Sequence, residues 1–223
     1  MVGPRNAGTA PAVALVLSLA ALALAPSAGA VGEPGFHCRD TNRGTATTNP
    51  NPRGKPPLAI GDSTMNLPIP NLNQIGFTVN ARGCRGTGEA NNLIEKLGKR
   101  GKLPHLVVLA VYSNGGISLK NVADVLDVLG KRRVLGLVTE YNADNGRRAA
   151  PDTSVLFKAR RLYPRRVAVL DWVKYSRPHH FVEPAPGAWF LSDLFHPNYT
   201  GAQEYANFLA RLLPYAREGR HPH

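Results

Sequence analysis

Four short stretches of this chain carry the residue types that acyl transfer needs. Gly61-Asp62-Ser63-Thr64-Met65 follows an apolar run. A glycine permits a sharp exit from a strand, and a serine opening the next helix would present an exposed hydroxyl. Its own N–H, at the positive end of that helix, would face any oxyanion formed there. The same residues also read as a plain turn with a helix N-cap. Asn80-Ala81-Arg82-Gly83-Cys84-Arg85-Gly86 follows a second apolar run, and its glycines allow backbone to approach a ligand or simply make a connector. Tyr112-Ser113-Asn114-Gly115-Gly116 follows a third. The Asn114 amide there is either an oxyanion donor or part of an Asn-Gly-Gly turn. Ser192-Asp193-Leu194-Phe195-His196-Pro197 stands near the C-terminus. Asp193 and His196 on one tight turn allow the carboxylate to accept from Nδ1–H, leaving Nε2 as a base; alternatively they are a solvated pair capping the last helix.

Taken together, a nucleophile, oxyanion donors and an Asp-x-x-His pair are the complementary parts of one acyl-transfer site. Each must then lie at one edge of one scaffold.

The apolar pattern supplies that scaffold. Short runs at Leu58–Ile60, Gly76–Val79, Leu106–Val111, Val134–Val138 and Val167–Leu170 are rich in β-branched residues and lack polar alternation. Strands buried on both faces look like this. Helical spacing occupies Glu89–Leu97, Leu119–Leu129, Ser154–Leu162 and Gly201–Leu213, the last stopping before Pro214. Interleaved strands and helices predict a parallel, doubly wound, five-stranded α/β sandwich spanning residues 57–216. In such sheets ligands bind beyond the carboxyl ends of the strands, where all four loops fall.

The remaining segments read differently. Arg5, the uncharged run Ala12–Ala25 and Ala28-Gly29-Ala30 form a secretory signal peptide, residues 1–30, cleaved after Ala30. The run is shorter than the about 20 residues of a spanning helix, and no later segment is long and apolar enough to span. Residues 31–56, rich in Pro, Gly, Asn and Thr, read as an extended or mobile arm. Residues 217–223 form a polar tail. In the oxidising compartment implied by export, Cys38 and Cys84, the chain's two cysteines, are expected to form a disulfide between the arm and the Gly83 loop.

Composition narrows the class further. With 43% hydrophobic and 19% charged residues the 223-residue chain is globular, and the cysteines lack metal-site spacing. Its net charge is +12. The basic residues are scattered over helix ends and connectors without interleaved aromatics, so nucleic acid is not expected as a partner. Anionic polymers, acidic glycans or lipid headgroups of a cell envelope suit that charge better; solubility alone also accounts for it. His179-His180 and His221-Pro222-His223 have no matching carboxylate or thiolate, so no metal site is assigned. The Asn198-Tyr199-Thr200 sequon sits against His196, where a glycan would crowd the site, and is read as fortuitous.

From about Leu58 to Leu213 the chain resembles the SGNH/GDSL hydrolase superfamily. Gly61-Asp62-Ser63, Gly83, Asn114 and Asp193-Leu194-Phe195-His196 carry the resemblance. It implies a three-layer α/β/α, flavodoxin-like sandwich and ester chemistry without metal or organic cofactor. It further implies Ser63 as nucleophile, His196 as base, Asp193 as its orienter, and Ser63 N–H, Gly83 N–H and Asn114 as the oxyanion hole. Val169-Leu170-Asp171-Trp172 and the Asp-x-x-His-Pro segment look similar to the secreted branch with peptidoglycan O-acetyltransferase domains. Tyr112 departs from the family's Gly-x-Asn pattern, and its ring is expected to narrow the site or tilt Asn114. No clear fourth-block signature stands around Arg147–Pro151. Three functions follow: a secreted serine esterase acting on an ester-bearing small molecule, lipid or glycan; a cell-wall glycan O-acyltransferase; or a non-catalytic envelope-binding protein on the same scaffold.

Overall fold

The computed structural model describes Cys38 and residues 40–222. The expected signal peptide lies outside the described residues.

In chain order the elements are β1 (Thr41–Gly44), β2 (Leu58–Gly61), a 3₁₀ turn at Ser63–Met65, α1 (Ile69–Gln74), β3 (Thr78–Arg82), α2 (Thr87–Lys99), β4 (Leu106–Ala110), α3 (Leu119–Leu129), β5 (Val134–Val138), β6 (Tyr141–Asn142), β7 (Asn145–Ala149), α4 (Thr153–Leu162), β8 (Val167–Leu170), α5 (Trp172–Ser176), a 3₁₀ turn at Arg177–His179, α6 (Tyr199–Leu209) and a 3₁₀ segment at Ala210–Ala216. The main sheet has order β1-β3-β2-β4-β5-β8; β6 and β7 form a separate hairpin. Five of the strands are parallel, as expected of a doubly wound sheet.

The sixth strand corrects the five-stranded expectation. Thr41–Gly44, read as part of an extended or mobile arm, pairs antiparallel with Arg82–Val79 of β3. Behind it the Thr47 and Thr48 hydroxyls donate to the carbonyls of Asn73 and Gln74. A polar segment with one half-buried face shows no apolar run, so only its ladder partners make it a strand. β3 also begins at Thr78 rather than Gly76, because Gly76 turns at φ 105°. The last helix leaves α geometry at Leu209 and continues as 3₁₀ through Pro214. A proline ring in an α-helix collides with the carbonyl four residues back, here Ala210.

Alternate residues of each strand face opposite layers. Leu58, Ile60, Val107, Leu109, Leu135 and Leu137 pack with the apolar faces of α2, α3 and α4. Ala59, Ala81, Val108, Ala110 and Ala168 meet Leu72, Trp172, Tyr205, Phe208 and Leu209 of α1, α5 and α6. Small strand residues on that second face leave room for large aromatic ones. Trp172 stacks on Trp189 at 6.0 Å between ring centres and meets the Tyr205 ring edge-on at 5.0 Å. At Gly136 any Cβ would come within 2.7 Å of Leu212. The result is a three-layer α/β/α sandwich. The expected tail lies on its body: Arg217 Nε donates to the Pro50 carbonyl at 3.3 Å, and His221 Nδ1 lies 3.0 Å from the Arg165 carbonyl.

Strand order reverses between β2 and β4, the switch point of such a sheet. Parallel register sets Gly61 opposite both Ala81 and Ala110. The segments that follow, at Ser63, Gly83 and Tyr112–Asn114, therefore leave the sheet at one edge.

Candidate active site

The Ser63 turn is built by its neighbour. Asp62, fully buried, caps the 3₁₀ turn by accepting the Thr64 N–H at 3.0 Å and the Thr64 hydroxyl at 2.8 Å on Oδ1. Its Oδ2 accepts the Ser113 hydroxyl and the Asn114 side-chain amide, the latter at 3.1 Å. Gly61 precedes it because a Cβ there would come within 2.5 Å of Met65. Ser63 is 6% exposed, which corrects the expectation of an exposed hydroxyl. The cause is the imidazole beside it: His196 Nε2 stands 2.9 Å from Ser63 Oγ.

His196 is in turn fixed by Asp193. Nδ1 lies 2.5 Å from Asp193 Oδ2, while Oδ1 accepts the backbone N–H groups of Phe195 and His196, each at 2.9 Å. Partial burial opposes the charge on Asp193. The bonds from the His196 ring and the two N–H groups outweigh it and hold the carboxyl below the ordinary carboxylate value. With that carboxylate accepting, Nδ1 carries the hydrogen and Nε2 has a lone pair toward Ser63.

This turn is tight enough to force Leu194 into left-handed backbone at φ 57°. A non-glycine residue there costs about 1 kcal/mol or more, so its surroundings must hold it. Two contacts do. His180 Nε2 lies 2.9 Å from the Leu194 carbonyl, and its ring stacks on Tyr141 at 3.9 Å. From the other side Gly146 of the β6–β7 hairpin presses directly on the loop: a Cβ there would come 2.5 Å from the Asp193 carbonyl oxygen. The hairpin is anchored to the Asn114 loop as well, through the Ala143 N–H to the Ser113 carbonyl at 3.2 Å. Sequence reasoning found neither Gly146 nor His180 in this role; only the missing side chain at Gly146 could have hinted at a close approach.

The other expected donors lie on the same edge. Asn114 is exposed, and its Nδ2 reaches Asp62 Oδ2 and Ser113 Oγ, at 3.1 and 3.0 Å. Those two acceptors are themselves hydrogen-bonded to each other, so one N–H serves both and the second points elsewhere. Gly83 is buried and precedes Cys84, whose φ is 55°. Cys84 forms a disulfide with Cys38, Cα to Cα 4.8 Å.

Tyr112 corrects a further expectation. Its ring is fully buried and belongs to the apolar cluster of the α2–α3 side with Ile60, Ile94 and Ile117, so it does not stand in the open space above Ser63. Strict alternation would send position 112 with Val108 and Ala110 to the other layer, but β4 ends at Ala110, so the pleat no longer dictates where the ring goes.

Beneath the turn lies a second buried carboxyl that sequence reasoning missed. Glu140, just past β5, brings Oε2 within 2.6 Å of the Tyr112 N–H and Oε1 within 3.1 Å of Thr64 Oγ1. Its only signal was an acid two residues beyond a buried strand's carboxyl end. Asn198, of the formal sequon, is 1% exposed and caps α6 by accepting the Gly201 N–H at 2.8 Å. Among the described residues no group of three or more His, Cys, Asp or Glu could hold a metal ion, and no helix is long and apolar enough to cross a membrane.

No family model matches the chain, and no curated protein does. Solved structures do. The C-terminal catalytic domain of peptidoglycan O-acetyltransferase A of Streptococcus pneumoniae, determined with a methylsulfonyl adduct, is similar with a TM-score of 0.54 at 20% identity, over 73% of this chain and 94% of that one. A Bacteroides fragilis protein described as a candidate acylhydrolase is similar with a TM-score of 0.51 at 14% identity, over 74% and 89%. The sheet order, the layering and these likenesses agree: the chain has the SGNH hydrolase-like α/β/α fold.

Proposed function

We propose that this chain is an exported serine acyl-ester enzyme. The observation that carries the reading is the continuous chain Asp193–His196–Ser63, with contacts of 2.5 and 2.9 Å. Ser63 Oγ attacks the ester carbonyl while its proton passes to His196 Nε2, and Asp193 stabilises the resulting imidazolium. The negative oxygen of the tetrahedral intermediate is met by Ser63 N–H, Gly83 N–H and the second N–H of Asn114. His196 then returns the proton to the departing alcohol, leaving acyl-Ser63. Water or a sugar hydroxyl attacks that intermediate with His196 again as base. No metal or organic cofactor takes part in these steps.

Export is supported by the N-terminal signal-like segment and by the Cys38–Cys84 bond, which persists in oxidising compartments. The charge of +12 favours substrates presented on an anionic envelope. Transfer to a cell-wall glycan is the second reading, favoured by the likeness to a peptidoglycan O-acetyltransferase domain over 94% of that domain. The non-catalytic reading loses its motive with the Tyr112 ring buried in the core.

The test is release of 4-nitrophenol from its acetate, with and without a soluble chito-oligosaccharide. Turnover dependent on Ser63 supports the ester chemistry. Acetylated oligosaccharide in place of acetate identifies a transferase, and no turnover by the wild type contradicts the reading.

A further inference from the structure

Two fully buried carboxyls share one hydroxyl below Ser63. Thr64 Oγ1 is 2.8 Å from Asp62 Oδ1 and 3.1 Å from Glu140 Oε1, yet a threonine carries a single O–H hydrogen. Asp62 is surrounded by donors: the Thr64 N–H and hydroxyl, the Ser113 hydroxyl and the Asn114 amide. All four of its acceptor positions are filled, as an ionised carboxylate requires. That uses the Thr64 hydrogen, so the contact between Thr64 Oγ1 and Glu140 Oε1 lacks a proton unless Glu140 brings one. Glu140 Oε2 accepts the Tyr112 N–H at 2.6 Å, which leaves Oε1 as the oxygen that faces Thr64.

We propose that Glu140 is a positioning residue that stays a neutral acid at neutral pH, donating its proton to Thr64, which donates in turn to Asp62 and so fixes the turn presenting Ser63. The inference rests on the reading of Ser63 as nucleophile, but the proton's location does not. One proton on the pair closes every bond in the network; with none, two buried anions meet across one oxygen.

The surroundings agree. Asp62, Tyr112 and Tyr205 of α6 act on Glu140, and Tyr141 lines the same small cavity. The charges acting on Asp62 include Arg85 and His196, which favour its anionic form. The Arg85 guanidinium, buried, donates to the carbonyls of Gly61 and Asn80 behind the turn. Burial, then the nearby charge of Asp62, push Glu140 well above the usual carboxylate range, outweighing the bonds from the Tyr112 N–H, Thr64 and the Ser113 N–H that pull it back. Burial also raises Asp62, with its donors pulling it back.

The experiment combines carboxyl ¹³C NMR of glutamate-labelled protein with two variants. At pH 7 the resonance missing from Glu140→Gln should have the shift of a protonated acid, and an ionised shift overturns the proposal whether or not the protein hydrolyses esters. Glutamine can donate to Thr64 and accept from Tyr112, so Glu140→Gln should keep kcat/KM at pH 7 within about twofold, whereas Glu140→Ala should lower kcat by about tenfold or more with KM little changed. A folded Glu140→Gln as impaired as Glu140→Ala would show that the anion is needed. Stability gives a readout free of activity. The folded state keeps a proton that the unfolded chain releases near pH 4.3, so wild type should lose stability relative to Glu140→Gln as pH rises above about that value. Parallel stability curves overturn the assignment.

Discussion

His196 Nε2 stands 2.9 Å from Ser63 Oγ although 133 residues separate them in the chain. The contact joins the first turn after the first parallel strand to the last turn before the final helix, and everything between them serves to hold that spacing.

Replacing the hydroxyl tests the contact itself. Ser63→Ala should lower ester hydrolysis by on the order of a thousandfold or more and change stability by only about 1 kcal/mol, the scale of one lost hydrogen bond. Steady-state kinetics beside a thermal melt check this. Near-wild-type turnover in a folded variant would remove Ser63 from the mechanism.

The pH dependence follows from the same geometry. His196 must be neutral to accept the Ser63 proton, so kcat/KM should rise with pH through one ionisation. Asp193 contributes no second step there, because its carboxyl is held below the ordinary value. The sign for stability is that of a depressed acid: the Asp193 contribution is present above the unfolded carboxylate value and is lost as pH falls through the folded one. Asp193→Asn should cost activity by about a thousandfold or more by releasing the imidazole tautomer, and should flatten that acid-side loss of stability. A profile independent of pH across the neutral range would contradict His196 as base.

Gly146 gives a prediction that no reading of motifs supplied. A methyl group at this position meets the Asp193 carbonyl at 2.5 Å, so Gly146→Ala must push the Asp-x-x-His turn or the hairpin away. A displacement on the order of 1 Å at a catalytic group costs about a hundredfold. We expect kcat to fall by that scale while the far-ultraviolet circular dichroism stays unchanged. Unaltered kcat would mean that the hairpin yields and the turn does not.

Tyr112 tests packing rather than specificity. With its ring fully buried, Tyr112→Gly should destabilise the domain by about 3–5 kcal/mol, as large-to-small core changes do, and should not broaden the accepted acyl group. Denaturant melts and a series of ester chain lengths separate the two. A stable variant with widened chain-length tolerance would place the ring at the substrate.

The disulfide should matter to both fold and rate. Cys38 and Cys84 are 46 residues apart, and closing such a loop is worth about 4 kcal/mol in the chain-entropy model. Replacing both by serine should lower Tm. It should also lower kcat, since Cys84 follows Gly83 directly and holds positive φ. Unchanged kcat with lowered Tm would separate the bridge from the oxyanion loop.

What the sequence made legible divides by physical scale. Val107, Leu109, Leu135 and Leu137 announce buried parallel strands because burial on both faces removes polar alternation. Ser63, Asn114 and the Asp193–His196 turn stand out because each follows or precedes such an element. Thr41–Gly44 left no such mark, since its strand character comes from pairing with β3. Glu140 and Gly146 were equally silent. One looks like any acid in a loop and the other like any turn glycine, until the fold buries the first under Thr64 and sets the second against Asp193. Tyr112 misled because a family pattern says which residue is absent, not where the replacement's ring goes.

The most direct test of the central claim is to treat the protein with a fluorophosphonate and map the adduct by peptide mass spectrometry. A serine held 2.9 Å from a tautomer-fixed imidazole is activated toward phosphorus as toward an acyl carbon. The account predicts one adduct, on Ser63, formed at a rate that falls with protonation of His196 and absent from His196→Ala. An unlabelled Ser63 in folded wild-type protein, or an adduct that forms equally fast in His196→Ala, would contradict it.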